Sequence, residues 1–268
     1  MDERVRVRGI SRLFSDNTLR DTEDEMLAER RVSLIVDGRR EALVVLTPGE
    51  EELWALGSLC CRRMIESADD IASVEVQPDK VIVERSRKLD GWPLETRYLH
   101  TASGAFLAEN RGARDIFLPV EWKMSFASIM SGIEWTADAP LFQRTGSVHV
   151  AALISPAGEK LFRTEDVGRH NAVDKAVGWL LKNNLRPKGA ALITSGRLPE
   201  DMVMKGLGAG IPLMASVSAA TIQGAEAARR GNMTLIGFAR GRRMNVYSAP
   251  ERLDFQREAD AAKMNQMP

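Results

Sequence analysis

The stretch GAALITSGRLPEDMVMKGLGAGIPLMASVS (residues 189–218) decides the fold class. Two short apolar runs, GAALITS and IPLMASVS, flank a segment opened by Pro199, with Glu200 and Asp201 in its first turn. Proline at the first helical position and carboxylates beside the unpaired amides are helix-start signals. A second helical segment follows Ser218, and then a third run, MTLIGFA (residues 233–239). Strand and helix in regular alternation predict an α/β domain with a mainly parallel sheet.

Upstream, SVHVAALISPAGEKLFRTED (residues 147–166) predicts two strands around the turn Pro156-Ala157-Gly158. It runs into TEDVGRHNAVDKAVGWLL (residues 164–181), a dense polar head followed by Val173, Val177, Leu180 and Leu181 on one helical stripe. Glu165 and Asp166 suit the N-terminus of that helix. His170 and Asp174 are four apart and share a face, so the carboxylate is expected to orient the imidazole and raise its pKa. Such a pair serves acid–base chemistry, binds a ligand, or is a surface ion pair worth under ~1 kcal/mol. His149, inside a strand pattern, reads as structural, and His100 has no recognisable context.

The first half reads as a small α+β unit. VSLIVDGRREALVVL (residues 32–46) has two β-rich runs around Asp37-Gly38, a hairpin dipeptide. A helix is expected next, with Thr47 as N-cap, Pro48 at the first helical position, Glu50 closing a capping box, and Leu53, Leu56, Cys60 and Met64 at helical spacing. KVIVERS predicts a strand, and residues 87–115, weakly periodic and glycine-bearing, a long loop. An amphipathic helix over residues 124–135 marks the domain boundary.

Composition bounds the class. The 268 residues hold 37 Lys plus Arg against 37 Asp plus Glu, so no global charge favours nucleic acid or an anionic membrane. No apolar run approaches the ~20 residues of a membrane-spanning helix. The N-terminus, MDERVRVRGISR, is charged throughout and unlike a secretory signal, which makes a cytoplasmic protein the expectation. Its two cysteines, Cys60 and Cys61, are adjacent. Neighbouring Cα atoms lie ~3.8 Å apart, below the usual disulfide span. No zinc-type His-x-Glu or Cys-x-x-Cys spacing accompanies the histidines, and no metal site is expected.

In an open α/β sheet, ligands bind outside the carboxyl ends of the strands. Those ends carry Ser195-Gly196-Arg197, then Ser218, then Arg240-Gly241-Arg242-Arg243. Hydroxyls, glycine amides, helix N-termini and planar guanidinium forks are what a phosphate or pyrophosphate requires, so a phosphorylated ligand is one reading. Arginines that merely solvate a sheet end are the other, and three of them without interleaved aromatics are a weak nucleic-acid signal.

TGSVHVA, EDVGRHNAVDK, TSGRLPEDMVMKGLGAGIPLMASVSAAT and TLIGFARGRRMNVY, in this order, resemble the FdhD/NarQ family of formate dehydrogenase accessory proteins. LWALGSLCCRRMIESADDI looks like that family's N-terminal helix. The resemblance implies a cytoplasmic homodimer that binds the molybdenum bis(molybdopterin guanine dinucleotide) cofactor and supports its sulfuration, taking persulfide sulfur from a cysteine desulfurase for formate dehydrogenase. It also implies that the α/β domain, residues 123–250, has a cytidine deaminase-like fold without zinc; the smaller N-terminal α+β domain is expected over residues 1–122, and the polar composition of residues 251–268 predicts a loosely held tail. The guanine nucleotide would be held by Phe238, Ala239, Arg240, Gly241, Arg242 and Arg243, with Ser195, Gly196, Arg197, Ser218 and His170 lining the cleft.

One departure stands out. The family's sulfur-carrying loop has a Cys-Gly-x-Cys-Gly motif, and TASGAFLAENRG takes its place here, with Ser103 about where the first cysteine belongs and Phe106 where the second does. Persulfide transfer needs a thiolate, which serine cannot supply. Cys60 and Cys61 either replace that carrier, helped by Arg62 and Arg63, or pack as small apolar residues on a helix stripe. If they only pack, the chain is a non-catalytic cofactor-binding chaperone or regulator that has lost sulfur transfer.

Overall fold

The computed structural model of the chain describes residues 2–87, 97–99 and 116–255. It opens with a hairpin, β1 (Val5–Leu13) and β2 (Leu19–Leu27), that forms a sheet of its own. A second hairpin follows, β3 (Arg30–Val36) and β4 (Arg39–Leu46). Its two-residue turn holds Asp37 at φ 50° and Gly38 at φ 78°, the left-handed pair that a tight hairpin requires. The Asp37 carboxylate also takes two bonds from the Arg85 guanidinium, at 2.6 and 2.8 Å. Helix α1 (Glu51–Cys61) leads to β5 (Ile71–Gln77), β6 (Lys80–Arg85) and β7 (Arg97–Leu99), which complete a five-stranded sheet in the order β5-β6-β3-β4-β7.

The second half begins with α2 (Phe126–Ala137), whose N-cap Ser125 accepts a bond from the Ser128 amide, and with α3 (Pro140–Thr145). It continues through β8 (His149–Ile154), β9 (Lys160–Asp166), α4 (Arg169–Lys182), β10 (Ala191–Thr194), α5 (Glu200–Ala209), β11 (Leu213–Ser216), α6 (Ile222–Arg230), β12 (Thr234–Arg240) and β13 (Arg243–Ser248). These six strands form one sheet in the order β13-β12-β11-β10-β8-β9. Strands β10, β11 and β12 are parallel, as the alternation predicts, but β8, β9 and β13 join through antiparallel pairings. The sheet is therefore mixed and not mainly parallel. The reason is local: β8–β9 and β12–β13 are hairpins with tight turns, and a tight turn can join only antiparallel strands.

Each central strand is apolar on both faces, which is why these runs are continuous and not alternating. Leu153, Leu192, Met214 and Leu235 face one core with α1, α4, α5 and α6, whereas Ile154, Ile193, Ala215 and Ile236 face another with Ile129 and Ile133 of α2. The first core also takes in Val32, Leu34, Val44 and Val81 of the five-stranded sheet, so it runs unbroken across residue 122 from one half of the chain to the other. No helix among the described residues is long and apolar enough to cross a membrane.

Two expectations are corrected by tertiary contacts. Helix α1 does not start on a Thr47 cap: its N-cap is Glu50, in the left-handed region at φ 62°, and Thr47 is tied to α4's entry, its hydroxyl accepting from the Val167 amide at 3.0 Å. The segment after residue 250 does not begin as a loose tail. Arg252 is fully buried and donates to the Leu118 and Pro119 carbonyls, while Leu253 bridges Met124.

Candidate functional site

Strand direction brings the predicted residues to one end of the larger sheet. Strand β9 is antiparallel to β8, and β8 to β10, so β9 runs with β10, β11 and β12. Their carboxyl ends share a side with the start of α4 and with His149 at the first position of β8. Ser195, Gly196, Arg197, Ser218, His170 and the Arg240–Arg243 turn all lie there. Gly196 lets the Arg169 side chain lie close: a Cβ there would meet it at 3.1 Å, a tight contact. The Ser195 hydroxyl accepts from the Val150 amide and fastens the loop to β8. The Ser216 hydroxyl donates to the Gly196 carbonyl at 2.6 Å, and the Phe238 amide to the Ser218 carbonyl at 2.9 Å, which links the three strand-end loops.

Phe238 sits at φ 50°, a strained setting for a bulky residue, where the β12–β13 ladder shifts register. Its ring lies under the Arg240 guanidinium, 5.2 Å from the ring centroid, within the ~6 Å reach of a cation–π contact. Arg240, Gly241, Arg242 and Arg243 are exposed, but the Ala239 methyl is buried in the second core and leaves only backbone for a ligand. Ser103 and Phe106 lie outside the described residues.

The expected His170–Asp174 pair does not form. Helix α4 is buried on nearly all sides, and α5 packs beside it with two polar residues also four apart. His170 Nε2 comes within 3.2 Å of Asp201 Oδ2, without the alignment of a hydrogen bond, and Asp174 accepts from Lys205 at 2.5 Å. Burial therefore pushes the His170 imidazole pKa down, Asp201 opposing it, where the sequence reading has it raised. His149 is pushed down as well, by burial and then by the neighbouring Arg169. Folded-state values below the ordinary 6.5 mean that the unfolded chain binds more protons as pH falls through that value. Stability is expected to decline on going from about pH 7.5 to about pH 5.5. Asp201 is also held low, so its contribution is lost only below its ordinary 3.8, outside that window. Thermal melts check this, and a His149→Gln/His170→Gln variant that keeps the same slope refutes it.

The rest of the polar head is structural. Glu165 accepts from the Leu141 and Phe142 amides and caps α3, not α4. Asp166, wholly buried, accepts from the amides of Thr47 and Gly168 and from Asn171, and pairs with Lys175 at 2.9 Å. Arg169 differs from these. Its Nε is buried without a hydrogen-bond partner, a feature that sequence reasoning passed over because the residue lies inside a motif dominated by paired charges. Among the described residues, groups of three or more His, Cys, Asp or Glu placed to hold a metal ion are absent.

The model of the FdhD/NarQ family matches residues 27–254. The chain belongs to the FdhD/NarQ family. Among its relatives, the sulfur carrier protein FdhD of Wolinella succinogenes is 32% identical over 255 residues, 92% of this chain and 88% of that one. FdhD of Anaeromyxobacter dehalogenans is 36% identical, covering 86% and 88%. A solved structure described as a formate dehydrogenase accessory protein, from Desulfotalea psychrophila, superposes with a TM-score of 0.77 at 26% identity, covering 93% of this chain and 99% of that one.

Against that family background the two cysteines are unpromising thiols. Both lie in the last turn of α1, with Cys60 4% exposed and Cys61 fully buried. Burial, reinforced by the Asp174 carboxylate, pushes the Cys60 thiol up to about 12 and Cys61 well above its usual value. The packing reading of the pair is the one that the structure supports.

Proposed function

We propose that this chain is a formate dehydrogenase accessory protein that holds the guanine dinucleotide form of the molybdenum cofactor at the carboxyl end of the larger sheet. The observation that carries the reading is an excess of uncommitted cations there. Arg169, Arg197, Arg240, Arg242 and Arg243 form no ion pair with a carboxylate among the described residues, and the Arg169 Nε is orphaned over Gly196. Guanidinium forks beside a helix N-terminus suit a pyrophosphate, and the Phe238–Arg240 stack offers a face to a purine. The names of the relatives, sulfur carriers and a formate dehydrogenase accessory protein, point the same way.

Cysteine burial favours a second, narrower statement: the chain binds the cofactor but carries no sulfur on its own thiols. A persulfide carrier needs an accessible thiolate, and Cys60 and Cys61 are the only cysteines in the sequence. Sulfur for the cofactor then comes from a cysteine desulfurase or another thiol protein.

Titration with GDP tests the first statement. Arg169→Ala, Arg240→Ala and Arg243→Ala are each expected to weaken binding about tenfold, the size of one lost charge-assisted hydrogen bond. Unchanged affinity in all three refutes the site. For the second, mass spectrometry after incubation with desulfurase and cysteine is expected to find no persulfide; an adduct that vanishes in Cys60→Ala or Cys61→Ala would restore sulfur transfer to α1.

A further inference from the structure

The β1–β2 hairpin takes no part in the cleft, and it sorts its charges by face. Side chains alternate along a strand, and the register sets Arg6 opposite Met26, Arg8 opposite Asp24 and Arg12 opposite Arg20. One face thus holds four guanidiniums and the single carboxylate of Asp24, whereas the other holds Asp21, Glu23 and Glu25 and no cation. It is the acidic face that meets the body: Glu25 takes two bonds from Arg144, at 2.8 and 2.9 Å, and Val5 and Leu27 pack with Leu141 and Val148. All four arginines of the reverse face are exposed.

Contacts within the hairpin engage these guanidiniums but leave them facing solvent: Arg6 donates to the Asp2, Glu3 and Val5 carbonyls, Arg8 to the Val7 carbonyl, and Arg20 lies 5.0 Å from the Phe14 ring centroid. Arg12 directly opposes Arg20, and like charges facing across a ladder destabilise it. The nearest relief, Asp24, stands 4.0 Å from Arg12. The two strands pair only with each other among the described residues, and an isolated two-stranded ribbon is marginal in water. The stretch matched by the family model starts only at Leu27, so the hairpin stands ahead of it.

We infer that the arginine face of this hairpin docks on an acidic protein surface, that of the dehydrogenase which the chain serves; the inference rests on the accessory role proposed above. A second copy related by a two-fold axis through this face does not fit, because it would oppose four arginines to four. Nucleic acid fits less well than protein. The chain as a whole is balanced at 37 charges of each sign, and three carboxylates lie one sheet thickness behind the arginines, where they repel a polyanion that follows the ribbon. Solvent-facing charge of this kind acts mainly on encounter rate and orientation, so the contact is salt-sensitive.

The test measures affinity between the full-length protein and purified cofactor-free formate dehydrogenase at low and high salt. It uses the wild type, Arg8→Glu/Arg12→Glu/Arg20→Glu, and the acidic-face control Asp21→Lys/Glu23→Lys, with a GDP titration on each. The arginine reversal is expected to weaken dehydrogenase binding at least about tenfold and to flatten its salt dependence. The control is expected to bind as the wild type does, and GDP affinity to stay unchanged throughout. Dehydrogenase binding that ignores the arginine reversal overturns the inference, and so does an equal loss in the acidic-face control. Arginine-dependent binding of a single-stranded oligonucleotide, with dehydrogenase binding intact, assigns the face to nucleic acid and overturns it too. A wild type that binds GDP but not the dehydrogenase refutes the accessory role together with this inference; one that binds the dehydrogenase but not GDP refutes only the cofactor reading.

Discussion

Gly57→Ala is expected to destabilise the protein by more than about 3 kcal/mol, although helix propensity alone would make the change favourable by about 1 kcal/mol. At this position helices α1 and α4 touch backbone to backbone. A Cβ on Gly57 would lie 1.7 Å from the Asp174 carbonyl oxygen, and one on Gly178 would lie 1.8 Å from that of Leu53. Neither obstacle is a flexible side chain, so the two helices must separate, and α1 is held on its other flank as well, where a Cβ on Gly208 of α5 would approach the Cys61 carbonyl at 2.0 Å. Separation opens the core that joins both halves of the chain. Urea denaturation of Gly57→Ala and Gly178→Ala against Gly189→Ala, where an added methyl meets nothing within 4 Å, measures the effect. A midpoint for Gly57→Ala at or above wild type would mean that the helices do not pack so closely.

Asp166→Ala should cost about 3–5 kcal/mol, the usual penalty for leaving one member of a buried ion pair alone. The carboxylate is fully buried and holds four donors: two amides, the Asn171 side chain and the Lys175 ammonium, itself 1% exposed. It joins the end of β9 to the loop before α1, and so sets the entry of α4 from which Arg169 and His170 project. Replacing both partners by apolar residues, Asp166→Leu with Lys175→Met, is expected to recover much of the loss, since no charge is then stranded. By contrast, breaking the Lys182–Glu52 pair, 2.6 Å but half exposed, should change stability by under ~1 kcal/mol. Equal effects for Asp166→Ala and Lys182→Ala would show that the buried network contributes nothing beyond surface charge.

Periodicity and turn chemistry carried most of the strand and helix assignments. The β3–β4 hairpin follows from Asp37-Gly38, α2 from its apolar spacing, and the β10-α5-β11-α6-β12 series from alternating runs punctuated by Pro199 and glycines. These are local signals, read within a turn or two of the residues concerned. The β1–β2 hairpin was not legible, because its strands are charged and bury almost nothing, so they leave no alternating apolar trace.

The candidate site divides in the same way. Which loops lie at the carboxyl end of the parallel strands follows from strand order, and so Ser195–Arg197, Ser218 and Arg240–Arg243 could be placed from sequence with the resemblance beside them. Partner choice could not. His170 and Asp174 are neighbours on one helix, yet each meets a residue of α5 about 30 positions away, because α4 is buried and its polar groups must be satisfied by whatever packs on it. Cys60 and Cys61 could be assigned to a helix from spacing, but only packing between two sheets made them inaccessible and poor thiols. The sequence by itself determined most of the elements after the first hairpin, their order and the missing family cysteines, since these depend on residue identity and short-range spacing. The tertiary structure decided which charges are spent on one another and which, like Arg169, Arg197 and Arg243, have no carboxylate partner among the described residues, because pairing across helices depends on distances that local sequence does not encode.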